Sequence, residues 1–273
     1  MADATPILLV GCGKMGGAML AGWLDQGIEP SAVVAVEPSD TLAAELRSCH
    51  GITVASGAVD IPGGFVPSTV IFAVKPQMMD DAVPDYAGFV ESGALVLSIA
   101  AGKTIGYFED HFCASSAVVR TMPNTPAAVG RGITALVANS HVSSEQKAAA
   151  ESLLTAVGET VWLDDEAMMD AVTAVSGGGP AYVFLLIESM TNAGVAAGLP
   201  LDVSARLAHA TVTGAGELAR QADEPPSQLR QNVTSPGGTT LEALNVLMAE
   251  DGMQDLFDRA IAAATRRSRE LAG

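Results

Sequence analysis

Three glycines near the N-terminus have the spacing of a phosphate-binding turn. Gly11, Gly13 and Gly16 directly follow the apolar run ILLV (7–10) and open a helical pattern. At such a junction the first glycine permits a tight turn, the second lets backbone approach a pyrophosphate, and the third lets the helix pack close to the strand. The N-terminus of the helix then favours the anionic phosphates. The motif predicts dinucleotide binding, and a purely structural turn is the alternative.

An acidic residue ends the second β-branched run at a position suited to contact a ribose. Glu37 lies 21 residues after Gly16, where a carboxylate accepts hydrogen bonds from the ribose diol of adenosine. The same negative charge repels a 2′-phosphate, so Glu37 favours NADH over NADPH. Ser39 is still able to donate to a phosphate, which leaves the choice between the two cofactors open.

Three further loops follow apolar runs and are expected to border the cofactor, because parallel strands place their carboxyl ends at one edge of a sheet. FAVKPQ (72–77) contains Lys75, which faces either the cofactor or solvent. SIAAG (98–102) offers small residues where a nicotinamide or ribose lies close to backbone. RTMPNTP (120–126) contains Asn124, which either contacts the cofactor or stabilises a turn.

A second polar cluster, NVTSPGGTT (232–240), precedes another helical pattern and carries no charge. Its two adjacent glycines allow a small ligand to meet backbone N–H groups at the helix start, which predicts a site for a substrate carboxylate. Thr239 and the glutamate three positions later have the spacing of a capping box, so Thr239 is expected to be the N-cap. Thr240 would then be free to face the substrate.

No conventional acid–base group accompanies these motifs. The four histidines are scattered, and the sequence has no GxSxG or HExxH pattern. Oxidation of a hydroxyl usually requires a base or a metal. Reduction of an iminium does not, because the substrate carries its own proton and the orientation of hydride donor and acceptor supplies most of the rate. The sequence therefore favours reduction of an iminium.

The elements that must position these motifs change character near residue 165. Before it, apolar runs alternate with helical patterns, which predicts a mostly parallel sheet covered on both faces. The predicted strands are 7–10, 32–37, 52–55, 69–74, 94–100, 117–120, 133–138 and 160–163. After it, only helical patterns remain, at 166–176, 180–197, 202–221, 239–250 and 254–271. We therefore predict an α/β domain over 1–165 and an all-helical domain over 166–273.

Composition limits the possible partners. The chain has 273 residues, of which 49% are hydrophobic and 16% charged, as in a globular protein. Its net charge of −17 argues against nucleic-acid binding, which needs clustered Lys and Arg. Three widely spaced cysteines without CxxC argue against a disulfide framework or a metal site. The sequence has no run of about 18 apolar residues and no basic signal segment at its start, so a cytoplasmic protein without a membrane partner is expected.

Seven segments together resemble the pyrroline-5-carboxylate reductase family, nearly from end to end. They are GCGKMG (11–16), FAVKPQ (72–77), SIAAG (98–102), RTMPNTP (120–126), DAVTAVSGGGPAY (170–182), AGVAAGLP (193–200) and NVTSPGGTT (232–240). The resemblance implies an N-terminal Rossmann-like, doubly wound, mostly parallel sheet and a C-terminal all-helical dimerisation domain. It implies a homodimer that exchanges helices, often assembled to a decamer. The implied activity is NAD(P)H-dependent reduction of the C=N bond of 1-pyrroline-5-carboxylate to L-proline.

The resemblance, together with the motifs, also defines the expected site residues. The expected cofactor contacts are Val10, Gly11, Cys12, Gly13, Lys14, Met15 and Gly16 at the pyrophosphate, Glu37, Pro38 and Ser39 at the adenosine ribose, Ala73, Val74, Lys75, Pro76, Ile99, Ala100 and Ala101 near the ribose and nicotinamide, and Asn124. The expected substrate contacts are Glu166, Asn232, Ser235, Gly237, Gly238, Thr239 and Thr240. Thr240 matches the family's threonine at the ring nitrogen and is the expected catalytic residue.

The chain departs from the family pattern at two places. Gly178 stands where the family usually has the second serine of SGSGPAY, which removes a hydroxyl near the active site. Glu37 and the loop ASGAVD (55–60) replace residues typical of NADPH-preferring members. Two alternatives are an oxidoreductase of the β-hydroxyacid dehydrogenase kind and a non-catalytic dinucleotide-binding protein. The first would be expected to use a lysine of the helical domain, yet no lysine follows Lys147.

Overall fold

The computed structural model describes residues 6–272, which form two units. The first unit contains the residues up to Gly177 together with those from Thr265 onward. The second unit is Gly178–Ala264. Residues 1–5, whose lack of basic side chains contributes to the expectation of a cytoplasmic protein, lie outside the described part of the chain.

The first unit extends beyond residue 165 because later residues belong to its core. Met169 is buried against the sheet, and Ser268 Oγ donates to Asp170 Oδ1 at 2.7 Å. These contacts attach the start of the helical region and the end of the last helix to the α/β unit. The assignment of 1–165 and 166–273 as separate functional domains stays a prediction.

The sheet and its helices have the following bounds. The strands are β1 (Ile7–Val10), β2 (Val33–Val36), β3 (Thr53–Ala55), β4 (Thr69–Phe72), β5 (Leu95–Ser98), β6 (Val118–Met122), β7 (Gly132–Ala138) and β8 (Gly158–Trp162). The α-helices around them are α1 (Lys14–Asp25), α2 (Asp40–His50), α3 (Met79–Ala82), α4 (Ala87–Glu91), α5 (Ile105–His111), α6 (Ser144–Thr155) and α7 (Met169–Val172). The later helices are α8 (Gly179–Ala196), α9 (Leu201–Gln221), α10 (Pro226–Asn232), α11 (Thr239–Leu247) and α12 (Met253–Ala272).

The eight strands form one sheet in the order β3-β2-β1-β4-β5-β6-β7-β8. All neighbouring pairs are parallel except β6 and β7, so the predicted mostly parallel sheet is confirmed. The chain builds outward from β1 in one direction through β2 and β3, and in the other through β4, β5 and β6. The strand order therefore reverses between β1 and β4, and the crevice beyond their carboxyl ends is where doubly wound sheets bind ligands.

Both faces of the sheet are apolar because successive side chains of a strand point to opposite sides. In β1, Ile7 and Leu9 join the core under α1, α2 and α6. Leu8 and Val10 join the core on the other face, under α3, α4 and α5. The indole Nε1 of Trp23 donates to Leu153 O at 2.7 Å and ties α1 to α6 within the first of these cores. This packing fixes α1, and with it the glycine-rich turn.

The sequence missed several short elements. The segment 76–91, which we leave unassigned, forms 3₁₀ turns alternating with α3 and α4, and α5 and α10 were also not predicted. These helices have at most seven residues, too few to show a clear 3.6-residue period. The longer helix α6 begins with a capping box, in which Ser143 and Gln146 make both of the expected hydrogen bonds.

The second unit is built on the packing of α8 against α9. Gly194 permits a close approach, since a Cβ at this position would lie 2.1 Å from Ser204 Oγ, and that hydroxyl donates to Thr191 O at 2.7 Å. Most of the apolar surface of α8 is not covered within the chain: Phe184 and Leu185 are each 60% exposed. The stretch Glu166–Ala196 is also the one segment, among the described residues, long and apolar enough to cross a membrane.

Candidate active site

The backbone of the glycine-rich turn requires a glycine at its first position. Gly11 has φ +89°, and a Cβ there would meet Val74 Cγ1 at 2.7 Å and the Ala73 backbone at 3.1 Å. The backbone is also hydrogen-bonded on both sides, by Gly11 N to Val36 O at 2.9 Å and Ala73 N to Val10 O at 2.8 Å. The turn after β1 and the loop after β4 are therefore in direct contact at the switch point.

The other two glycines have the roles expected for a phosphate-binding turn. A Cβ at Gly16 would lie 2.5 Å from Gly11 O, so a side chain would push α1 away from the turn. A Cβ at Gly13 would meet nothing within 4 Å, which leaves the approach to the start of α1 open. Within residues 6–272, the N–H groups of Lys14, Met15 and Gly16 have no acceptor. The turn therefore fits a dinucleotide pyrophosphate.

The Glu37 carboxylate is fixed next to this turn. Its Oε2 accepts from Cys12 N at 3.3 Å and its Oε1 from Ser39 N at 3.0 Å. The Ser39 hydroxyl oxygen accepts from Leu42 N and caps α2. Burial, and secondarily the charge of Glu37, raises the pKa of the Cys12 thiol to about 12. The negative charge therefore stands beside the glycine-rich turn, and the Cys12 thiol next to it stays protonated at neutral pH.

The loops after β4 and β5 are attached to the same edge of the sheet. Ile99 N donates to Phe72 O at 3.1 Å, and Ala100 N donates to the buried Ser98 Oγ at 3.2 Å. Lys75 is exposed and precedes a 3₁₀ turn. Val74, Pro76 and Ala101 lie in these two loops. The structure thus brings together the residues expected at the pyrophosphate, the ribose and the nicotinamide.

The Asn124 side chain makes contacts within the protein. Its Oδ1 accepts from Ile133 N at 3.0 Å, and its Nδ2 lies within hydrogen-bonding distance of Ser176 O and Oγ. These bonds connect the turn after β6 to β7 and to a π-helical turn at Thr173–Gly177. They match the turn-stabilising alternative for Asn124, and a contact of this residue with cofactor stays a prediction.

The Glu166 carboxylate is bound to two other segments of the first unit. Asp165 caps the 3₁₀ turn that begins at Glu166. Glu166 Oε1 accepts from Arg120 Nη1 at 2.7 Å and from Ile105 N at 2.9 Å. Sequence reasoning missed Arg120 of β6, whose buried side chain is the charge partner of an expected substrate contact. The one signal was a charged residue ending an apolar run, AVVR.

The turn before α11 differs from the prediction at one residue. The N-cap of α11 is Gly238, not Thr239, and no side chain caps the helix. Thr239 is already the first helical residue because Leu241 N and Glu242 N both bond to Gly238 O. The capping box predicted at Thr239 is therefore wrong.

The same turn leaves N–H groups available. Gly237 has φ +67°, and Gly238 N donates to Ser235 O at 3.0 Å, which closes the turn. Within the described residues, the N–H groups of Thr239 and Thr240 have no acceptor. Both threonines and Ser235 are exposed in the chain. The start of α11 therefore presents two backbone donors and the Thr240 hydroxyl.

Asn232 lies at the end of α10 and is held by its neighbours. Its Oδ1 accepts from Gln228 Nε2 at 2.8 Å, and its Nδ2 donates to Glu224 Oε2 at 3.2 Å. Within the second unit, the structure thus places Asn232 on the helix that leads into the turn at 235–240.

The fold and the glycine-rich turn define a dinucleotide-binding oxidoreductase with a Rossmann-like N-terminal unit. A family profile described as NADP oxidoreductase coenzyme F420-dependent matches residues 6–102, and one described as pyrroline-5-carboxylate reductase dimerisation matches residues 166–271. Pyrroline-5-carboxylate reductase of Pseudomonas aeruginosa is 39% identical over 270 residues, which cover 98% of each chain. The Synechocystis enzyme is 39% identical over 264 residues, or 96% of this chain and 97% of that one. The chain belongs to the pyrroline-5-carboxylate reductase family.

Solved structures agree with this assignment. A pyrroline-5-carboxylate reductase from Coxiella burnetii has a TM-score of 0.93 at 33% identity and covers 99% of this chain and 100% of its own. The Plasmodium falciparum pyrroline carboxylate reductase, solved with NADP bound, has a TM-score of 0.82 at 28% identity and covers 99% of each chain. The predicted family and fold class are confirmed, and neither the dehydrogenase alternative nor the non-catalytic one is favoured.

Proposed function

We propose that this chain reduces 1-pyrroline-5-carboxylate to L-proline, the last step of proline biosynthesis, with NADH or NADPH as the hydride donor. The observation that carries the proposal is the occurrence, in a chain of this family, of two glycine-containing turns, before α1 and before α11, that leave backbone N–H groups without an acceptor among the described residues. The first suits the pyrophosphate of a dinucleotide, and the second suits the carboxylate of a small substrate.

The cofactor would be held at the carboxyl edge of the sheet. The backbone of Val10–Gly16 would bind the pyrophosphate, Glu37–Ser39 would contact the adenosine ribose, and the loops 73–76 and 99–101 would border the ribose and nicotinamide. When bound, the reduced nicotinamide supplies a hydride, which is equivalent to two electrons and one proton. The task of the protein is then to orient this hydride donor against the imine carbon.

The reaction needs no proton-transfer side chain at the carbon that is reduced. In the protonated substrate, the hydride forms a new C–H bond while the electron pair of the C=N bond moves to nitrogen, and the product is a secondary amine. We assign the Thr240 hydroxyl to hydrogen-bond the ring nitrogen. This contact fixes the nitrogen and, through it, the adjacent carbon that receives the hydride.

The substrate carboxylate is assigned to the start of α11. The N–H groups of Thr239 and Thr240 have no acceptor among the described residues, and the positive end of the helix dipole favours an anion there. The side chain of Thr239 caps nothing. We also assign substrate contacts to Glu166, Asn232, Ser235, Gly237 and Gly238, following the family resemblance.

We propose that this enzyme uses NADH at least as well as NADPH. Glu37 is held by two backbone N–H groups, which keeps its charge where a 2′-phosphate would lie. The Plasmodium falciparum enzyme was solved with NADP bound, and the profile that matches residues 6–102 is described as an NADP oxidoreductase, so we expect this chain to differ from that enzyme in its choice of cofactor.

We propose that the chain forms a homodimer through its helical domain, and that dimers assemble further to a decamer. The exposed apolar side chains of α8, among them Phe184, Leu185 and Met190, support this, because a surface of this kind is usually covered by a partner. A dimer would also account for the apolarity of Glu166–Ala196 without a membrane. Light scattering coupled to gel filtration tests the assembly.

A cytoplasmic location is part of the same proposal. All three cysteines are free, as is usual for proteins of a reducing compartment. Cell fractionation with an antibody to the chain tests this location.

The proposed activity is tested by following the oxidation of NADH and NADPH with added 1-pyrroline-5-carboxylate and measuring the L-proline formed. We expect proline and oxidised cofactor in equal amounts. Cofactor binding without turnover would support the non-catalytic alternative. Turnover of a β-hydroxy acid, but not of the pyrroline, would support the dehydrogenase alternative.

A further inference from the structure

Arg120 is a buried cation that the proposed reaction does not use directly. Its side chain is 7% exposed, and it lies beside Ser98 in the register of β5 and β6. Ser98 is the residue from which the loop toward the nicotinamide begins. A buried arginine needs a charge partner, and here the partner is Glu166, whose side chain is 29% exposed.

Glu166 connects Arg120 to the far end of that loop. The same oxygen, Oε1, accepts from Arg120 Nη1 and from Ile105 N, the first residue of α5. Oε2 of Glu166 accepts no hydrogen bond from any of the described residues. One carboxylate oxygen is thus committed to the protein, and the position of the other is fixed through it.

The loop 99–104 is anchored at its beginning as well. Thr121 Oγ1 donates to Ser98 O at 2.9 Å, and Ala100 N donates to Ser98 Oγ. Thr121 directly follows Arg120 in β6. Two adjacent residues of β6 therefore hold the loop at both ends, Thr121 at its start and Arg120, paired with Glu166, at α5. The pair Lys103–Asp80 adds a contact in the loop, but Asp80 is 70% exposed, so its contribution is small.

We propose that Arg120 is a positioning residue for hydride transfer: with Glu166 it fixes the loop 99–104, which borders the nicotinamide in the proposed function. The inference rests on that function. In this inference, Glu166 has two roles: it holds the loop 99–104 in place, and it makes its assigned contact with the substrate. Loosening the pair displaces the loop relative to the imine, and a misplacement of about 1 Å costs roughly 100-fold in rate.

The test compares kcat, both KM values and the deuterium isotope effect from 4-deuterated reduced cofactor in four variants. They are Arg120→Met, Arg120→Lys, Glu166→Gln and the double variant Arg120→Met/Glu166→Gln. The matched control is Arg47→Met, which removes a different arginine of the same unit, one that donates to Val54 O at 2.8 Å. Thermal unfolding of each variant gives the folded fraction.

We expect Arg120→Met to lower kcat roughly 100-fold and to raise the isotope effect, because hydride transfer becomes slower than the other steps. Arg120→Lys keeps the charge and should recover about tenfold of that loss, while still showing a larger isotope effect than wild type. The double variant should be no worse than the poorer single variant, since both act through one oxygen. Arg47→Met should lose stability and keep kcat/KM per folded molecule.

Three results would overturn the inference. The first is a loss of activity in Arg120→Met that only matches its unfolded fraction, with KM and isotope effect unchanged. If Arg120→Met does not fold, the second is an Arg120→Lys variant whose kinetics and isotope effect equal those of the wild-type chain. The third is a double variant whose loss of kcat equals the product of the losses in Arg120→Met and Glu166→Gln, which would show that the two residues act independently. Failure of the wild-type chain to reduce the pyrroline would instead overturn the proposed function.

Discussion

Glu37 is the residue on which the choice of cofactor is expected to depend, and Glu37→Gln removes its charge. The substitution keeps the size of the side chain, but its single oxygen accepts from either Cys12 N or Ser39 N, whereas the carboxylate uses a separate oxygen for each. It removes the negative charge that would face a 2′-phosphate. We expect kcat/KM with NADPH to rise and kcat/KM with NADH to fall.

The magnitude follows from two terms. Unit charges about 4 Å apart repel by about 1 kcal/mol in water and about 4 kcal/mol near a protein surface, and the fixed carboxylate cannot swing away from the phosphate. Taking about 1.4 kcal/mol from the lower part of this range gives roughly a tenfold gain for NADPH. A hydrogen bond to a charged group contributes about 1.5–3 kcal/mol, so NADH should lose roughly tenfold or more. The ratio of the two cofactors should therefore change about 100-fold.

Initial rates at saturating pyrroline, with each cofactor varied, measure this ratio. Glu45→Gln is the matched control: Glu45 is exposed on α2, so this variant changes the net charge equally without a carboxylate at the ribose. Its ratio should stay within about twofold of wild type. Salt at about 1 M should reduce the effect of Glu37 only in part, because charges this close are poorly screened when partly buried.

Two outcomes would refute this reasoning. A wild-type preference for NADPH of more than about tenfold in kcat/KM would show that Glu37 does not oppose the 2′-phosphate. An unchanged ratio in Glu37→Gln would show that the carboxylate contacts neither cofactor at the ribose.

Three further predictions concern other parts of the chain. Thr240→Ala should lower kcat/KM by a factor that corresponds to about 1–3 kcal/mol of lost transition-state stabilisation. Thr239→Ala should lower kcat/KM less, and because its side chain caps no helix, it should change the free energy of unfolding by less than about 0.5 kcal/mol. Equal losses of kcat/KM in the two variants would contradict this division. Gly178→Ser should raise stability by a few tenths of a kcal/mol, since no side chain caps α8, and a lower unfolding midpoint would contradict it. The pKa of Cys12 is raised by burial from 9.0 to about 12, so its protonated form contributes stability that is complete below pH 9 and is lost as pH rises toward about 12. Between pH 9 and about 12, the free energy of unfolding measured in urea should fall less in Cys12→Ser than in the wild-type chain. Equal falls in both proteins would refute this contribution of Cys12 to stability.

The strands were predictable because their signal is local. A run such as ILLV at 7–10 is apolar at every position, and a run this short that ends at a glycine is typical of a strand buried on both faces. The direction of a strand is not a local property. β7 is antiparallel to β6 although ITALVA looks like any other run, because its direction depends on the path of the chain between the two strands.

The site was predictable where backbone conformation determines the residue type. Gly11 has a positive φ and Gly16 lies in close contact with the Gly11 carbonyl, so each position needs a glycine, and the glycines are visible in the sequence. No local sequence pattern identifies the role of Arg120, because that role depends on contacts with Glu166 and, through it, with Ile105, which are distant in sequence. The Thr239 prediction failed for a related reason: Ser/Thr followed by Glu fits a capping box, but the turn closed by Gly238 N and Ser235 O moved the N-cap by one residue.

The two proposed anion sites use the same structural device in separate units. At the first, a glycine-rich turn exposes the N–H groups of Lys14–Gly16 at the start of α1. At the second, Gly237 and Gly238 turn the chain so that Thr239 and Thr240 begin α11 with N–H groups that have no acceptor in the part of the chain that the structure describes. Such donors are dipolar and carry no net charge, so a chain of charge −17 can bind an anionic cofactor and an anionic substrate without a basic surface. The buried Arg120 is then available for another task, and we assign it to positioning the loop 99–104.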